Sequence, residues 1–212
     1  MQYFVLPKCF IAFNAKVGSS ALACAIVNKY YPHLLKESLD EYYRTWSQFT
    51  PEFIDTLPEA FRKLVREDKL DTFAFWQNIC PRTKNPDGLV LLPIRDPVER
   101  FISTVAYFNM EAEKTLDALE NDGEGVIYKL PINLKSNQHF WAQNILATKN
   151  TKYYKFPSQL EQLCKDAELD YPIRKVNEGE YIKPVLTKEQ IDRVKKFYAE
   201  DVSLYESLPD LT

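Results

Sequence analysis

One short stretch near the start of the sequence combines residues that suit the binding of a phosphate or sulfate group. It reads Asn14-Ala-Lys-Val-Gly-Ser-Ser and follows a short apolar run that begins at Phe10. Gly18 lets the backbone approach an anion closely, and the amides of residues 17–21 point toward that anion if a helix begins here. Lys16 adds a positive charge that can stabilise a leaving oxygen. The residues assigned to this predicted loop are Lys16, Val17, Gly18, Ser19, Ser20 and Ala21.

A second stretch, Arg95-Asp-Pro-Val-Glu-Arg-Phe-Ile-Ser, offers a separate set of anion-binding groups. Arg95 ends an apolar run, and Ser103 lies eight residues later, two turns into the helix expected to follow. The planar guanidinium of Arg95 and the hydroxyl of Ser103 are therefore expected to reach one terminal phosphate. Arg100 is expected to pair with Glu99 or another nearby acid. An ordinary surface ion pair is the alternative for Arg95.

The spacing of the first stretch bears on the reaction that it can support. In the P-loop of ordinary nucleotidases, GxxxxGK[ST], the lysine follows the glycine and a hydroxyl follows the lysine to bind Mg²⁺. Here Lys16 precedes Gly18, and no hydroxyl follows the lysine directly. The spacing therefore disfavours metal-dependent phosphoryl transfer by a small-molecule kinase, and no metal site is predicted. A capped helix after a strand, without a ligand, is the structural alternative.

Both stretches are predicted to join a strand to a helix. Ser19 or Ser20 is expected to cap the first helix, and Asp96 is expected to cap the second, with Pro97 in its first turn. Strands separated by helices predict an α/β fold with three α/β/α layers and a central parallel sheet. Further strands are predicted at residues 73–76 and 152–156, and further helices at 50–67, at 136–147, after a Ser158 cap, and after a capping box at Thr187.

Length and composition limit the classes of protein that fit. With 212 residues, 45% of them hydrophobic, the chain is expected to form a single domain over residues 1–212. No window approaches the ~18 apolar residues of a membrane span and no signal peptide is recognised, so a cytoplasmic or otherwise soluble protein is expected. Four scattered cysteines indicate neither a zinc site nor a disulfide framework. The net charge of −3 does not indicate nucleic-acid binding, but residues 1–36 hold four lysines and no acid, which favours a local anion site.

Taken together, Lys16-x-Gly-Ser-Ser and, about eighty residues later, Arg95-Asp-Pro-x-x-Arg-Phe-x-Ser resemble the motifs of the sulfotransferases. The similarity is closest to the carbohydrate sulfotransferase branch, whose second motif has the same form. It extends to Ser136-Asn-Gln-His-Phe-Trp-Ala-Gln, which is similar to a His-Trp-x-Pro-Gln stretch of some members, with His139 and Gln143 at the matching ends. Three further stretches fit the family's general pattern, at residues 154–160, 176–178 and 197–205.

The resemblance implies a P-loop-like nucleotide-binding sulfotransferase fold and a donor, PAPS (3′-phosphoadenosine 5′-phosphosulfate), used without a metal. In the family the first loop holds the 5′-phosphosulfate, which assigns Lys16 to donor binding and catalysis, and the second holds the 3′-phosphate, which assigns Arg95 and Ser103. The implied enzyme transfers a sulfuryl group from PAPS to a hydroxyl or amine, and a carbohydrate is the expected acceptor. Two positions differ from the family pattern, since a glutamate is replaced by Pro157 and a proline by Ala15. The family's membrane anchor has no counterpart in the sequence.

The general base of such a reaction is not identified by the sequence. Relatives place a histidine or glutamate either some twenty residues before the second motif, where residues 73–80 hold neither, or after the first helix. His139 lies in a family-like stretch and is assigned as the catalytic partner of Lys16, with a structural histidine as the alternative. The other candidates for the base are His33, Glu37, Asp40 and Glu41.

Two further expectations concern the residues around the acceptor and an alternative function. Residues 34–85 and 109–135 are expected to form its wall, because the donor motifs lie outside them. The missing base at residues 73–80 also supports a different function, a non-catalytic module that binds a glycan or the desulfonated donor PAP (adenosine 3′,5′-bisphosphate).

Overall fold

The computed structural model describes residues 3–31, 80–127, 129–173 and 181–210. Its strands are β1 (Tyr3–Val5), β2 (Phe10–Ala12), β3 (Arg82–Thr83), β4 (Val90–Arg95), β5 (Glu124–Ile127), β6 (Leu130–Asn133) and β7 (Thr151–Phe156). Its helices are α1 (Ser19–Tyr30), α2 (Pro97–Phe108), α3 (Ala112–Glu120), α4 (Leu160–Asp166), α5 (Lys188–Phe197) and α6 (Ala199–Ser207), with short 3₁₀ turns at Leu134–Ser136 and Gln143–Leu146.

The main sheet has the strand order β3-β1-β2-β4-β7. The strands β2, β4 and β7 are parallel, whereas β1 is antiparallel to both of its neighbours. The α/β fold class is therefore confirmed, but the expectation of an all-parallel central sheet is wrong. The reason is the short connection between β1 and β2, in which the Leu6 amide donates to the Cys9 carbonyl, because a parallel pair needs a crossover of a dozen or more residues.

Helices pack against both faces of this sheet, as the alternation of side chains along its strands requires. On one face, Phe4, Ile11, Leu91 and Tyr154 form a buried cluster with the apolar sides of α1 and α4. On the other face the cluster includes Tyr3, Ala12, Val90, Leu92 and Ile94 together with Leu146 and side chains of α6. The described residues thus form three layers.

A third apolar cluster lies beside the sheet and supports α2. It joins α2 to α3 and α5 through buried side chains such as Phe101, Leu116 and Val194, and Leu134 packs there too. The predicted capping box at Thr187 is confirmed, because its hydroxyl accepts from the Gln190 amide while the Gln190 side chain accepts from the Thr187 amide. The helix that it opens ends at Phe197, and α6 follows at Ala199.

The helix predicted at 136–147 is wrong, because side chains elsewhere bind the backbone of this segment. The guanidinium of Arg100 donates to the carbonyls of His139 and Trp141, and the Asp201 carboxylate accepts from the amides of Gln143 and Asn144. These bonds replace the regular bonds of a helix. The segment instead runs through turns between the two 3₁₀ turns.

Three cap predictions have different outcomes. Asp96 caps α2 as predicted, since its carboxylate accepts from the Glu99 amide at 2.9 Å. The N-cap of α1 is Gly18 rather than Ser19 or Ser20, and that of α4 is Gln159 rather than Ser158. The elements predicted at 50–67 and 73–76 lie outside the described residues. None of the helices in the described ranges combines the length and the apolar character that crossing a bilayer demands.

Candidate functional site

The first predicted loop connects β2 to α1 at the carboxyl end of the parallel strands. Gly18 has φ 76°, and a Cβ built on it would lie 2.9 Å from the Cε2 atom of Phe156. Both facts require glycine, because other residues rarely adopt this backbone conformation and a side chain would meet the ring. The Asn14 side chain donates to the Pro93 carbonyl at 3.3 Å and ties the loop to β4.

The start of α1 has the form of an anion-binding helix terminus. The Leu22 amide donates to the Gly18 carbonyl at 3.0 Å, so the amides of residues 19–21 precede the first turn's hydrogen bond and face the N-terminal end of the helix. Val17, Ser19 and Ser20 are buried, and Ala21 is half-buried. The loop assigned from the sequence is therefore a single local unit.

Lys16 adopts an unusual backbone conformation within this loop. Its φ is 65°, in the left-handed region that costs a non-glycine residue about 1 kcal/mol. The Arg95 guanidinium donates from Nη1 to the Lys16 carbonyl at 3.3 Å and so holds the backbone there. The Lys16 Nζ atom lies 4.0 Å from the centroid of the Tyr107 ring. Strain of this kind is found most often at functional sites.

The environment of Lys16 disfavours the positive charge of its ammonium group. Burial, and to a smaller extent the nearby positive charge of Arg95, together lower the pKa of Lys16 from 10.5 to about 8. Both effects oppose the ammonium form, and a bound anion would offset both by supplying a countercharge. The electrostatics of the loop therefore favour an anionic ligand.

Arg95 connects the two predicted motifs. It is the last residue of β4, and its guanidinium lies between the Lys16 carbonyl and the Glu99 carboxylate, which accepts from Nη2 at 3.4 Å. The guanidinium carbon is 6.0 Å from the ring centroid of Phe156, the same ring that packs against Gly18. The structure thus places both motifs at the carboxyl ends of the parallel strands of the sheet.

Along α2, Ser103 lies between Glu99 and Tyr107, the residues that contact the cationic side chains of Arg95 and Lys16. It is half-buried and follows Glu99 by four residues and precedes Tyr107 by four, so the three side chains share one side of the helix. Glu99 contacts Arg95 and Tyr107 contacts Lys16. This side of α2 therefore faces the predicted anion site.

His139 also contacts Tyr107, the ring that Lys16 contacts. Its ring stacks on the Tyr107 ring with centroids 5.9 Å apart, and its Nδ1 atom is 2.9 Å from the Oδ1 atom of Asn137. Because that oxygen accepts, the hydrogen-bond pattern assigns the proton to Nδ1 and leaves the lone pair on Nε2. Burial lowers the pKa of His139 to about 4, assisted by the charges of Lys16 and Arg100. The imidazole is therefore neutral at pH 7.

Arg100 makes buried backbone contacts in addition to the ion pair that the sequence predicted. It is 2% exposed, and its guanidinium donates to the carbonyls of Ala15, His139 and Trp141. Its acidic neighbour is Asp201, at 4.0 Å, and Glu99 pairs with Arg95 instead. Arg100 thus fixes the residue before Lys16 and the residue that carries the imidazole.

A cavity of about 780 Å³ opens beside Tyr107, next to the Lys16 contact. Most of its lining lies within the stretch 109–135 that was expected to bound the acceptor, and both apolar and charged side chains surround it. Its lining includes Tyr107, Met110, Glu111, Lys114, Glu124 and Lys129.

Of the predicted residues, the structure brings together Lys16, Gly18, Arg95 and His139 with their loop neighbours. The alternative bases His33, Glu37, Asp40 and Glu41 lie outside the described residues. Sequence reasoning missed Tyr107, although its four-residue spacing from Ser103 is a signal that could have found it. Within the four described ranges, no three His, Cys, Asp or Glu side chains are grouped so that they could hold a metal ion.

Comparison with protein-family models, with curated proteins and with solved structures finds no match to this chain.

Proposed function

We propose that this protein is a sulfotransferase with the P-loop-like fold of that family, which moves a sulfuryl group from PAPS to a hydroxyl or amine of a carbohydrate. One observation carries the proposal: Lys16, next to a glycine turn at a helix start, has its positive charge opposed by burial and by Arg95. A donor with two anionic groups that contacts both cations would offset this cost. The resemblance of the two motifs to sulfotransferases supplies the identity of the donor.

The residues present fit such a donor. Lys16 and the amides at the start of α1 would hold the 5′-phosphosulfate, and Arg95 with Ser103 would hold the 3′-phosphate. Gly18 places no side chain beside the amides at the start of α1, and the Phe156 ring packs where a Cβ would lie. PAPS supplies an activated sulfuryl group.

In the transfer, the acceptor oxygen or nitrogen forms a bond to sulfur while the bond from sulfur to the bridging oxygen breaks. The electron pair of the broken bond stays on the phosphate of the departing PAP. Lys16 stabilises the negative charge that develops on that bridging oxygen. His139, with its lone pair on Nε2, takes the proton that the acceptor loses. The cavity beside Tyr107 would hold the acceptor next to the ring that both Lys16 and His139 contact.

One observation favours a second candidate, a PAP- or glycan-binding module without turnover. The pKa of His139 is about 4, so its imidazole has a low affinity for the proton that a general base must accept. In that case the anion site would be retained and only the transfer would be absent.

Titration calorimetry with adenosine 3′,5′-bisphosphate tests the anion site shared by both candidates. Wild type is expected to bind, and Lys16→Met and Arg95→Gln are each expected to bind at least tenfold more weakly, since each removes a charge-assisted contact. Lys165→Met, which changes an exposed lysine on α4, is the matched control and should bind as wild type does. An absence of heat with wild type would exclude the sulfotransferase and the PAP-binding form of the module, and would leave only a glycan-binding module.

Transfer of radiolabelled sulfate from PAPS to a panel of glycans then distinguishes the sulfotransferase from the binding module. An acceptor-dependent product that disappears in His139→Gln supports the enzyme. Nucleotide binding without any product across the panel supports the binding module.

A further inference from the structure

Gln143 makes a paired contact with the backbone of Arg95. The Arg95 amide donates to Oε1 of Gln143 at 2.8 Å, and Nε2 of Gln143 donates back to the Arg95 carbonyl at 2.7 Å. One side chain thus satisfies both backbone groups of the residue that ends β4.

This contact takes the place of a neighbouring strand. On one edge β4 pairs with β7 as far as Arg95 and Phe156, but on the other edge its pairing with β2 stops at Leu91 and Ile11. The chain of β2 turns into the Lys16 loop there, so the last residues of β4 lack a strand partner on that edge. The primary amide of Gln143 reproduces the donor and acceptor that such a strand would present.

Gln143 is itself held rigidly. It is 1% exposed, and its backbone amide donates to both carboxylate oxygens of Asp201, at 2.9 and 2.7 Å. Asp201 is also 1% exposed and accepts from the Asn144 amide at 3.2 Å. The nearby guanidinium of Arg100 supplies a countercharge. A chain of buried contacts therefore runs from α6 through Gln143 to the end of β4.

We propose that Gln143 is a positioning residue that fixes the backbone of Arg95, and so the direction of its guanidinium, for recognition of a terminal phosphate. The planar fork of an arginine binds an anion well only when its orientation is set. Asp201 acts one step further away, by holding Gln143. The inference rests on the proposed function, because the phosphate is the 3′-phosphate of the donor.

Two variants separate positioning from folding. Gln143→Met keeps a similar volume and removes both contacts with Arg95. Gln143→Glu keeps an acceptor for the Arg95 amide but sets a carboxylate oxygen against the Arg95 carbonyl, and it serves if the first variant does not fold. Gln162→Met, on α4, is the matched control.

The first measurement is amide hydrogen exchange, which needs no nucleotide. In both variants the Arg95 amide is expected to exchange at least tenfold faster, relative to the amides of Leu91 and Leu92 in the same strand. In Gln143→Glu the reason is that repulsion between the new carboxylate and the Arg95 carbonyl moves residue 143 away from the Arg95 backbone. Unchanged exchange at Arg95 would overturn the claim that Gln143 fixes this residue.

The second measurement compares adenosine 3′,5′-bisphosphate with adenosine 5′-monophosphate, which lacks the 3′-phosphate. Gln143→Met is expected to weaken the bisphosphate about tenfold and the monophosphate less than twofold, and to have no further effect on the bisphosphate in an Arg95→Gln background. Equal losses for both nucleotides, or the same loss without Arg95, would overturn the role in phosphate recognition. If wild type binds neither nucleotide, the proposed function fails, the phosphate role falls with it, and hydrogen exchange alone decides whether Gln143 fixes Arg95.

Discussion

Replacing Lys16 with methionine is expected to stabilise the folded protein while it removes anion binding. The substitution keeps a long, unbranched side chain and removes the charge that burial and Arg95 oppose. The left-handed backbone at position 16 is unfavourable for either residue, so that cost cancels in the comparison. The remaining difference is the electrostatic free energy of the ammonium group.

The magnitude follows from the pKa of Lys16. A fall from 10.5 to about 8 corresponds to about 3 kcal/mol of proton-binding free energy, at about 1.4 kcal/mol for each tenfold change in proton affinity. The contact of Nζ with the Tyr107 ring offsets about 1 kcal/mol of this, as cation–π contacts at partly buried sites do. We therefore expect Lys16→Met to unfold with a free energy about 2 kcal/mol higher than wild type at pH 7.

The pH dependence has a defined sign. Below pH 8 Lys16 is protonated in both the folded and the unfolded state, so wild type bears the full cost of burying the charge. Between pH 8 and 10.5 the folded state releases its proton first, and the stability of wild type rises relative to the variant. The advantage of Lys16→Met is therefore expected to shrink from pH 7 to pH 9.5.

Urea unfolding at pH 7 and pH 9.5, followed by circular dichroism, measures both effects. Lys165→Met should differ from wild type by less than about 0.5 kcal/mol at either pH, as exposed substitutions usually do. Adding adenosine 3′,5′-bisphosphate should stabilise wild type but not Lys16→Met. If Lys16→Met is no more stable than wild type at pH 7, or if its advantage is the same at pH 9.5, the electrostatic reasoning is refuted.

Three other substitutions test separate parts of the site. Gly18→Ala should lower the free energy of unfolding by about 1–2 kcal/mol because of its positive φ, whereas Gly88→Ala should change it by less than about 1 kcal/mol in the same urea experiment. Sulfate transfer by wild type should be independent of pH between 5.5 and 7.5, because the pKa of His139 is about 4, and an inflection near pH 6.5 would contradict this. Arg100→Met leaves the Asp201 carboxylate buried without its countercharge and should lower the free energy of unfolding by about 3 kcal/mol in urea. A loss below about 1 kcal/mol would show that Arg100 and Asp201 do not hold together the segments that they contact.

The sequence predicted the parts of the site that depend on local patterns. The apolar run before Gly18 and the Asp96-Pro97 pair after β4 each specify a strand, a turn and a helix start within a few residues. These signals act over short distances, and the structure has the corresponding elements close to where the sequence put them. The nearness of Arg95 to Lys16 followed from the rule that parallel strands end at one edge of the sheet.

The errors arose where distant residues determine the backbone. The helix predicted at 136–147 rested on local propensity, but Arg100 and Asp201 bind that backbone from positions far away in the sequence. No spacing rule connects Asp201 to Gln143, because 58 residues separate them. The strand β1 was not predicted, and its antiparallel direction follows from a connection to β2 that is too short for a crossover.

Helix α2 sets the distance between the two cationic groups. Glu99, beside Arg95, and Tyr107, beneath Lys16, are eight residues apart on one side of the helix, which places their backbones about 12 Å apart. Ser103 lies midway, and the Arg95 guanidinium spans part of the gap by reaching the Lys16 carbonyl. Because a helix is stiff along its axis, α2 fixes the spacing of the two side chains that contact Arg95 and Lys16. Under the proposed function, this spacing would suit a donor that carries two anionic groups.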